Sequence, residues 1–113
     1  MATATFVQEG RAIDYTPTSN VAAGDVVVQG DLVGVARKPI PANTLGALAV
    51  EGVFDVAKAT GAGSGMTAGT KVYWDATDQQ AKTDDETGAN KLLGKTTNAA
   101  ADADTTVQVR LSQ

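Results

Sequence analysis

The chain has 113 residues, no cysteine, no histidine and a formal net charge of -4, with an isoelectric point near 4.5. That length fits one domain burying roughly two thirds of its unfolded surface. The composition excludes a disulfide scaffold, thiolate metal ligands and a histidine general base, and the acidic balance excludes a chain whose main task is to grip phosphate or an anionic membrane.

Twelve glycines, abundant Thr, Ala and Val, and few aromatics favour short strands and turns over helices. No apolar run approaches the roughly 18 residues of a membrane helix, and MATATFVQEGR lacks the basic and apolar regions of a signal peptide. Met1–Glu9 carries Phe6 and Val7 but no helix cap. It reads as an edge strand or an extended arm. Arg11–Thr16 alternates, with Arg11, Ile13 and Tyr15 on one side. Pro17-Thr18-Ser19-Asn20 is a turn cluster. Gly24-Asp25 and Gly30-Asp31 are turns around Val26–Gln29, and the second predicts a hairpin to Leu32–Arg37.

Asp31–Lys38 and Leu48–Ala59 are the two long β-type runs, expected to form the central antiparallel pair. Pro39 and Pro41 remove two donors and fix two φ angles in the link between them. The inward phase of the second run slips near Gly52, where a β-bulge is expected. Thr60–Thr67 reads as a flexible exposed loop. Val72-Tyr73-Trp74 and Gln79–Thr83 predict a hairpin across Asp75–Asp78. Asp84–Asn90 is an acidic loop, Lys91–Thr96 a strand, and Asn98–Asp104 a loop. Thr105–Leu111 alternates cleanly, with Val107, Val109 and Leu111 inward. Seven to nine such strands predict an all-β fold, a small barrel or sandwich of short antiparallel strands.

Candidate chemistry is sparse. Gly61-Ala62-Gly63-Ser64-Gly65 has no Gly-Lys-Ser/Thr and no following helix, so it is not a phosphate loop. Asp84-Asp85-Glu86 lacks convergent ligand spacing and reads as a solvated acidic loop. No serine has a base, since histidine is absent and no Ser-x-x-Lys occurs. No catalytic, cofactor or metal residue is expected, and the chain is read as a non-enzyme. Tyr73 and Trp74 point to opposite faces of a strand: one is core, the other a possible partner anchor. Arg37-Lys38 is the one adjacent basic pair, open to an acidic surface or simply solvated.

GDLVGVARKPIPANTLGALAVEGVFDVAK (Gly30–Lys58) resembles the core of the small tailed-phage capsid cement or decoration proteins. The likeness continues through Thr5–Gly10, Ile13–Thr16, Val21–Val27, Gly69–Asp75 and Val107–Leu111. It implies a structural virion protein on the outer capsid surface, made in the host cytoplasm, bound to the major capsid protein as a homotrimer near local three-fold axes. Residues 1–15 are then an N-terminal arm or edge strand and 16–113 a single β domain. On that reading Phe6, Val7, Ile13 and Tyr15 contact the capsid, and Trp74, Arg37 and Lys38 are possible interface residues. No nucleic acid, membrane or cofactor is expected. The alternative is a ligand- or carbohydrate-binding β module of a surface or fibre protein, which needs exposed aromatics over a groove.

Overall fold

A computed structural model describes residues 11–111. Their strands, in chain order, are β1 (Ala12–Tyr15), β2 (Val26–Gln29), β3 (Leu32–Ala36), β4 (Gly46–Ala49), β5 (Gly52–Ala57), β6 (Lys71–Asp75), β7 (Gln80–Lys82), β8 (Lys91–Thr96) and β9 (Thr106–Leu111). They build a four-stranded sheet, β1-β4-β3-β2, and a five-stranded sheet, β5-β9-β8-β6-β7. Every strand pairing within the two sheets is antiparallel. The fold is all-β, as expected. A parallel bridge between Lys58 and Ala81 draws the end of β5 against β7, with the Ala59 amide donating to the Ala81 carbonyl at 3.2 Å. The larger sheet therefore rolls into a small barrel.

The first hairpin forms where expected. Gln29 faces Leu32 across Gly30-Asp31, and Gly30 has φ 62°. A positive φ at the first turn position alone is the type II′ pattern, whose twist matches the flanking strands. β3 is buried on both faces. Val33 and Val35 join the barrel core with Val56, Val72, Trp74, Leu93, Val107, Val109 and Leu111. Ala36 turns the other way, onto Ile40 and Leu48, where Ile13, Tyr15, Val21 and Val27 also pack. Gly34 makes this possible, because a Cβ there would meet the Leu48 Cβ at 2.8 Å. Burying each such Val or Leu stabilises by about 1.5–3 kcal/mol.

The expected central pair is only half present. β3 pairs with β4, but the run from Leu48 to Ala59 is two strands in two sheets. β5 leaves the first sheet and pairs along its whole length with β9. The phase slip near Gly52 marks this change of sheet rather than a bulge, and Gly52 makes the turn at φ 123°. A bulge does occur elsewhere: the β6–β8 register shifts between Val72 and Tyr73, where Val72 faces Gly94 and Tyr73 faces Leu92. Leu93 is the extra residue, fully buried. Gly94 is required beside it, since a Cβ would fall on the Arg110 carbonyl. β9 is as expected, with Val107, Val109 and Leu111 buried.

Candidate functional site

One end of the smaller sheet opens into a broad cleft of about 930 Å³, lined by Arg11, Arg37, Lys38, Ile40, Leu45 and Glu51 among others. The Pro-Ile-Pro segment builds its floor. Of Pro39, Ile40 and Pro41 only Ile40 keeps a backbone donor. That donor is used: Ile40 N–H donates to the Val21 carbonyl at 2.8 Å, and Val21 N–H donates back at 2.9 Å. The Ala42 amide donates to Asn20 Oδ1 at 2.9 Å, and the Asn43 amide to the Pro17 carbonyl at 2.8 Å. The segment is thus laced to the turn before β2. Gly46 gives Ile40 its room, because a Cβ there would meet the Ile40 side chain at 2.7 Å.

Arg37 and Lys38 follow the last residue of β3 and are exposed. The ordered proline segment behind them fixes where the strand stops and so where they project. Arg11, at the start of β1, joins them on the rim of the same cleft. None of the three cations forms an ion pair among the described residues. Leu45 stands beside them 67 % exposed. Glu51 is the one carboxylate of the lining. Chemically this is a positively charged rim around an apolar patch, suited to a polypeptide surface carrying carboxylates. The sequence reading found Arg37 and Lys38 but missed Arg11, Leu45 and Glu51, which come together only through the β1–β4 pairing and the turn into β5.

The other predicted site residues fall in different places. Phe6 and Val7 lie outside the described residues. Ile13 and Tyr15 are half-buried and pack on Ala36, Ile40 and Leu48 of their own domain. β1 pairs residue for residue with β4, Ile13 facing Leu48 and Tyr15 facing Gly46. Residues 12–15 are therefore an edge strand of the smaller sheet. Trp74 needs correction as an interface residue: it is 4 % exposed in the barrel core, and its Nε1–H has no partner among the described residues. Tyr73, on the opposite face, is half-buried, as are Tyr15 and Phe54. Among the described residues no aromatic stands fully exposed over a groove.

Two charged networks brace the scaffold. Lys82 Nζ holds Asp75 at 2.6 Å and Asp78 at 2.8 Å. Asp75 also accepts from the Thr77 and Asp78 amides at 2.9 and 3.1 Å. The Lys82 hydrogen bond, helped by the Asp78 amide, holds the Asp75 carboxyl below its usual range. Lys82 is pushed above its ordinary value by the same two carboxylates. Asp31, at the tip of the β2–β3 hairpin, meets Lys91 at the start of β8 at 2.9 Å. That contact keeps its carboxyl low as well.

The glycine loop is exposed over most of its length, as expected, but it is also tied to the fold. It wraps Lys58, which is 2 % exposed. Lys58 Nζ donates to the Ala59 carbonyl at 2.8 Å, the Asp104 carbonyl at 3.3 Å, and the Asp102 carbonyl and Ser64 Oγ at 3.4 Å. The loop is tied across to the turn before β9. Gly61 N–H and Ser64 Oγ–H donate to the Asp102 carbonyl at 3.0 Å. Gly65 N–H donates to Asp102 Oδ1 at 2.6 Å. The signal available in the sequence was a lone lysine at an inward-facing position of a strand.

A family model described as phage cement protein matches residues 7–111. No curated protein and no solved structure matches the chain.

Proposed function

The chain belongs to the phage cement protein family, and from that premise we propose that it binds the outer surface of its phage's capsid and reinforces the shell. The role is structural and phage capsid-associated, and in this reading it is not catalytic. The major capsid protein is the partner, and three copies gather around a local three-fold axis. The protein is made in the host cytoplasm and ends on the virion.

The observation that carries the reading is the cleft in which Arg11, Arg37 and Lys38 surround the exposed Leu45. An acidic chain that gathers three cations, none ion-paired among the described residues, around an apolar patch has the makings of a contact to another protein, polar at the rim and apolar within. Met1–Gly10 join the domain at Arg11, on the rim of that cleft, and bring Phe6 and Val7 as further apolar anchors. β1 is the edge strand next to them, and an edge strand is where an extended segment adds to a sheet. Repeated over a symmetric shell, a weak contact becomes a large total resistance to internal pressure.

Co-sedimentation with undecorated, expanded heads tests this. The full chain is expected to saturate at a fixed ratio to capsid subunits. Deleting Met1–Gly10 is expected to abolish attachment while leaving the unfolding transition of the domain in place. Folded full-length protein that stays in the supernatant overturns the reading, and a truncated chain that binds as well as the full one overturns the arm.

A further inference from the structure

The chain has nine lysines and arginines. Lys82 and Lys91 are ion-paired, Lys58 is buried, and Arg11, Arg37 and Lys38 line the cleft. The remaining three stand side by side on the barrel wall. Lys71 of β6 faces Lys95 of β8, and Lys95 faces Arg110 of β9. Arg110 in turn faces Val53 of β5, which is 53 % exposed. Directly opposed residues project from one face of a sheet. All three cations are exposed, while Val72, Thr96 and Leu111, the next residues along each strand, are buried. A cationic row therefore crosses the wall at strand spacing, about 4.8 Å from one to the next.

Like charges placed directly opposite one another are destabilising, and nothing among the described residues neutralises these. None of the three forms an ion pair among the described residues. Asp55 on β5 faces Gln108, a diagonal step from Arg110, without bridging to it. The arrangement disfavours the free molecule and favours a negatively charged partner.

We propose that the row Lys71–Lys95–Arg110, with Val53 at its end, is a second docking surface that takes an acidic polypeptide segment of the capsid. This rests on the capsid-binding reading above. The spacing indicates the form of the segment. Carboxylates on one face of a helix recur about 5–6 Å apart, close to the row, whereas those on one face of a strand recur about 6.6–6.8 Å apart. The partner is an acidic helix face rather than nucleic acid, because three cations on a chain of net charge -4 do not make the extended basic footprint that a phosphate backbone requires.

The experiment has two arms, each run on the full chain and on a K71Q/K95Q/R110Q variant. The substitutions are exposed and relieve repulsion, so the variant is expected to fold and to melt no lower than the parent. In the first arm, binding to expanded heads is followed between about 50 and 500 mM salt, across which exposed charge contacts are progressively screened. The variant is expected to bind at least tenfold more weakly at low salt, with a flatter salt dependence. In the second arm, hexaglutamate is titrated into labelled protein by NMR. Saturable shifts are expected at the amides of Lys71, Lys95 and Arg110, and are expected to vanish in the variant.

Equal binding of both proteins to heads overturns the inference and leaves the capsid-binding reading standing. A parent chain that does not bind heads overturns that reading and the capsid assignment of the row with it. Hexaglutamate then decides alone whether the row takes an acidic polypeptide. Absent shifts at the three residues overturn the row as a site. Stronger shifts with an oligodeoxynucleotide of equal charge overturn the choice of polypeptide. Shifts that depend on protein concentration without any probe assign the row to a second copy, and overturn the capsid partner.

Discussion

Asp75 gathers more of the local structure than any other carboxylate among the described residues. It is buried at the end of β6, accepts two turn amides and holds Lys82. Its folded-state pKa is depressed, so its contribution to stability is present above its ordinary value of 3.8 and is lost as pH falls through the lower folded value. Lys82 is raised; its contribution is complete below its ordinary 10.5 and is lost only as pH rises beyond that. The pair therefore acts across the whole neutral range. Asp75→Asn is expected to lower the urea midpoint at pH 7. The gap between variant and parent is expected to narrow as pH falls below 3.8, as the unfolded parent takes up the proton first. Urea melts at a series of pH values check this, and a gap that stays constant as pH falls below 3.8 contradicts the charge-based account.

The strands were largely legible in the sequence, and the exceptions have physical causes. β9 could be read because it keeps the period of two against one core, and the β2–β3 hairpin because Gly30-Asp31 meets a turn's steric demand. Leu48–Ala59 was misread because a strand that changes sheets and a strand that bulges leave the same trace, an inward pattern that slips at a glycine. Only the partner strand separates them, and β9 lies at the far end of the chain, Ala57 pairing with Thr106 and Gly52 with Leu111. The anchoring of the glycine loop was not legible for a related reason. Glycines permit mobility but do not cause it, and here they allow backbone to close around Lys58. Lys58→Met keeps the stem and removes the ammonium. It would leave the Ala59 and Asp104 carbonyls without their lysine donor, at a cost of about 1–3 kcal/mol for each group left unsatisfied. Lower thermal stability is expected, with faster hydrogen exchange at the Gly61 and Gly65 amides, which depend on the tie to Asp102. Unchanged exchange there would mean that the loop is held without the lysine.

Among the described residues, the exposed cations that form no ion pair divide into two groups of three, one at the cleft and one on the barrel wall. The cleft group was only partly legible, since Arg37 and Lys38 are neighbours in sequence while Arg11 is brought to them by β1–β4 pairing. The wall group was invisible, because Lys71, Lys95 and Arg110 become neighbours only through strand register. The core beneath them is built mainly from Val, Ala and Leu, with Trp74, Met66 and the half-buried Phe54, and gains less per residue than a core rich in larger apolar side chains. Added stability on assembly is accordingly expected: a partner that binds only the folded state raises its apparent stability by mass action. Calorimetry of decorated heads is expected to place the unfolding of this protein several degrees above that of the free chain. Coincident transitions would mean that attachment contributes no stability to the domain.

The burial of Lys58 has a practical consequence. Its ε-amine is enclosed by the loop and the turn before β9, whereas Lys38, Lys71 and Lys95 are exposed and Lys82 and Lys91 partly so. An amine-acylating reagent should therefore tag Lys38, Lys71 and Lys95 readily in the free chain, and leave Lys58 unmodified, free or attached, for as long as the barrel stays shut. Peptide mass spectrometry of intact particles would then carry its own clock. The tagging rate at Lys58 reports how often the domain opens while attached, with no residue substituted.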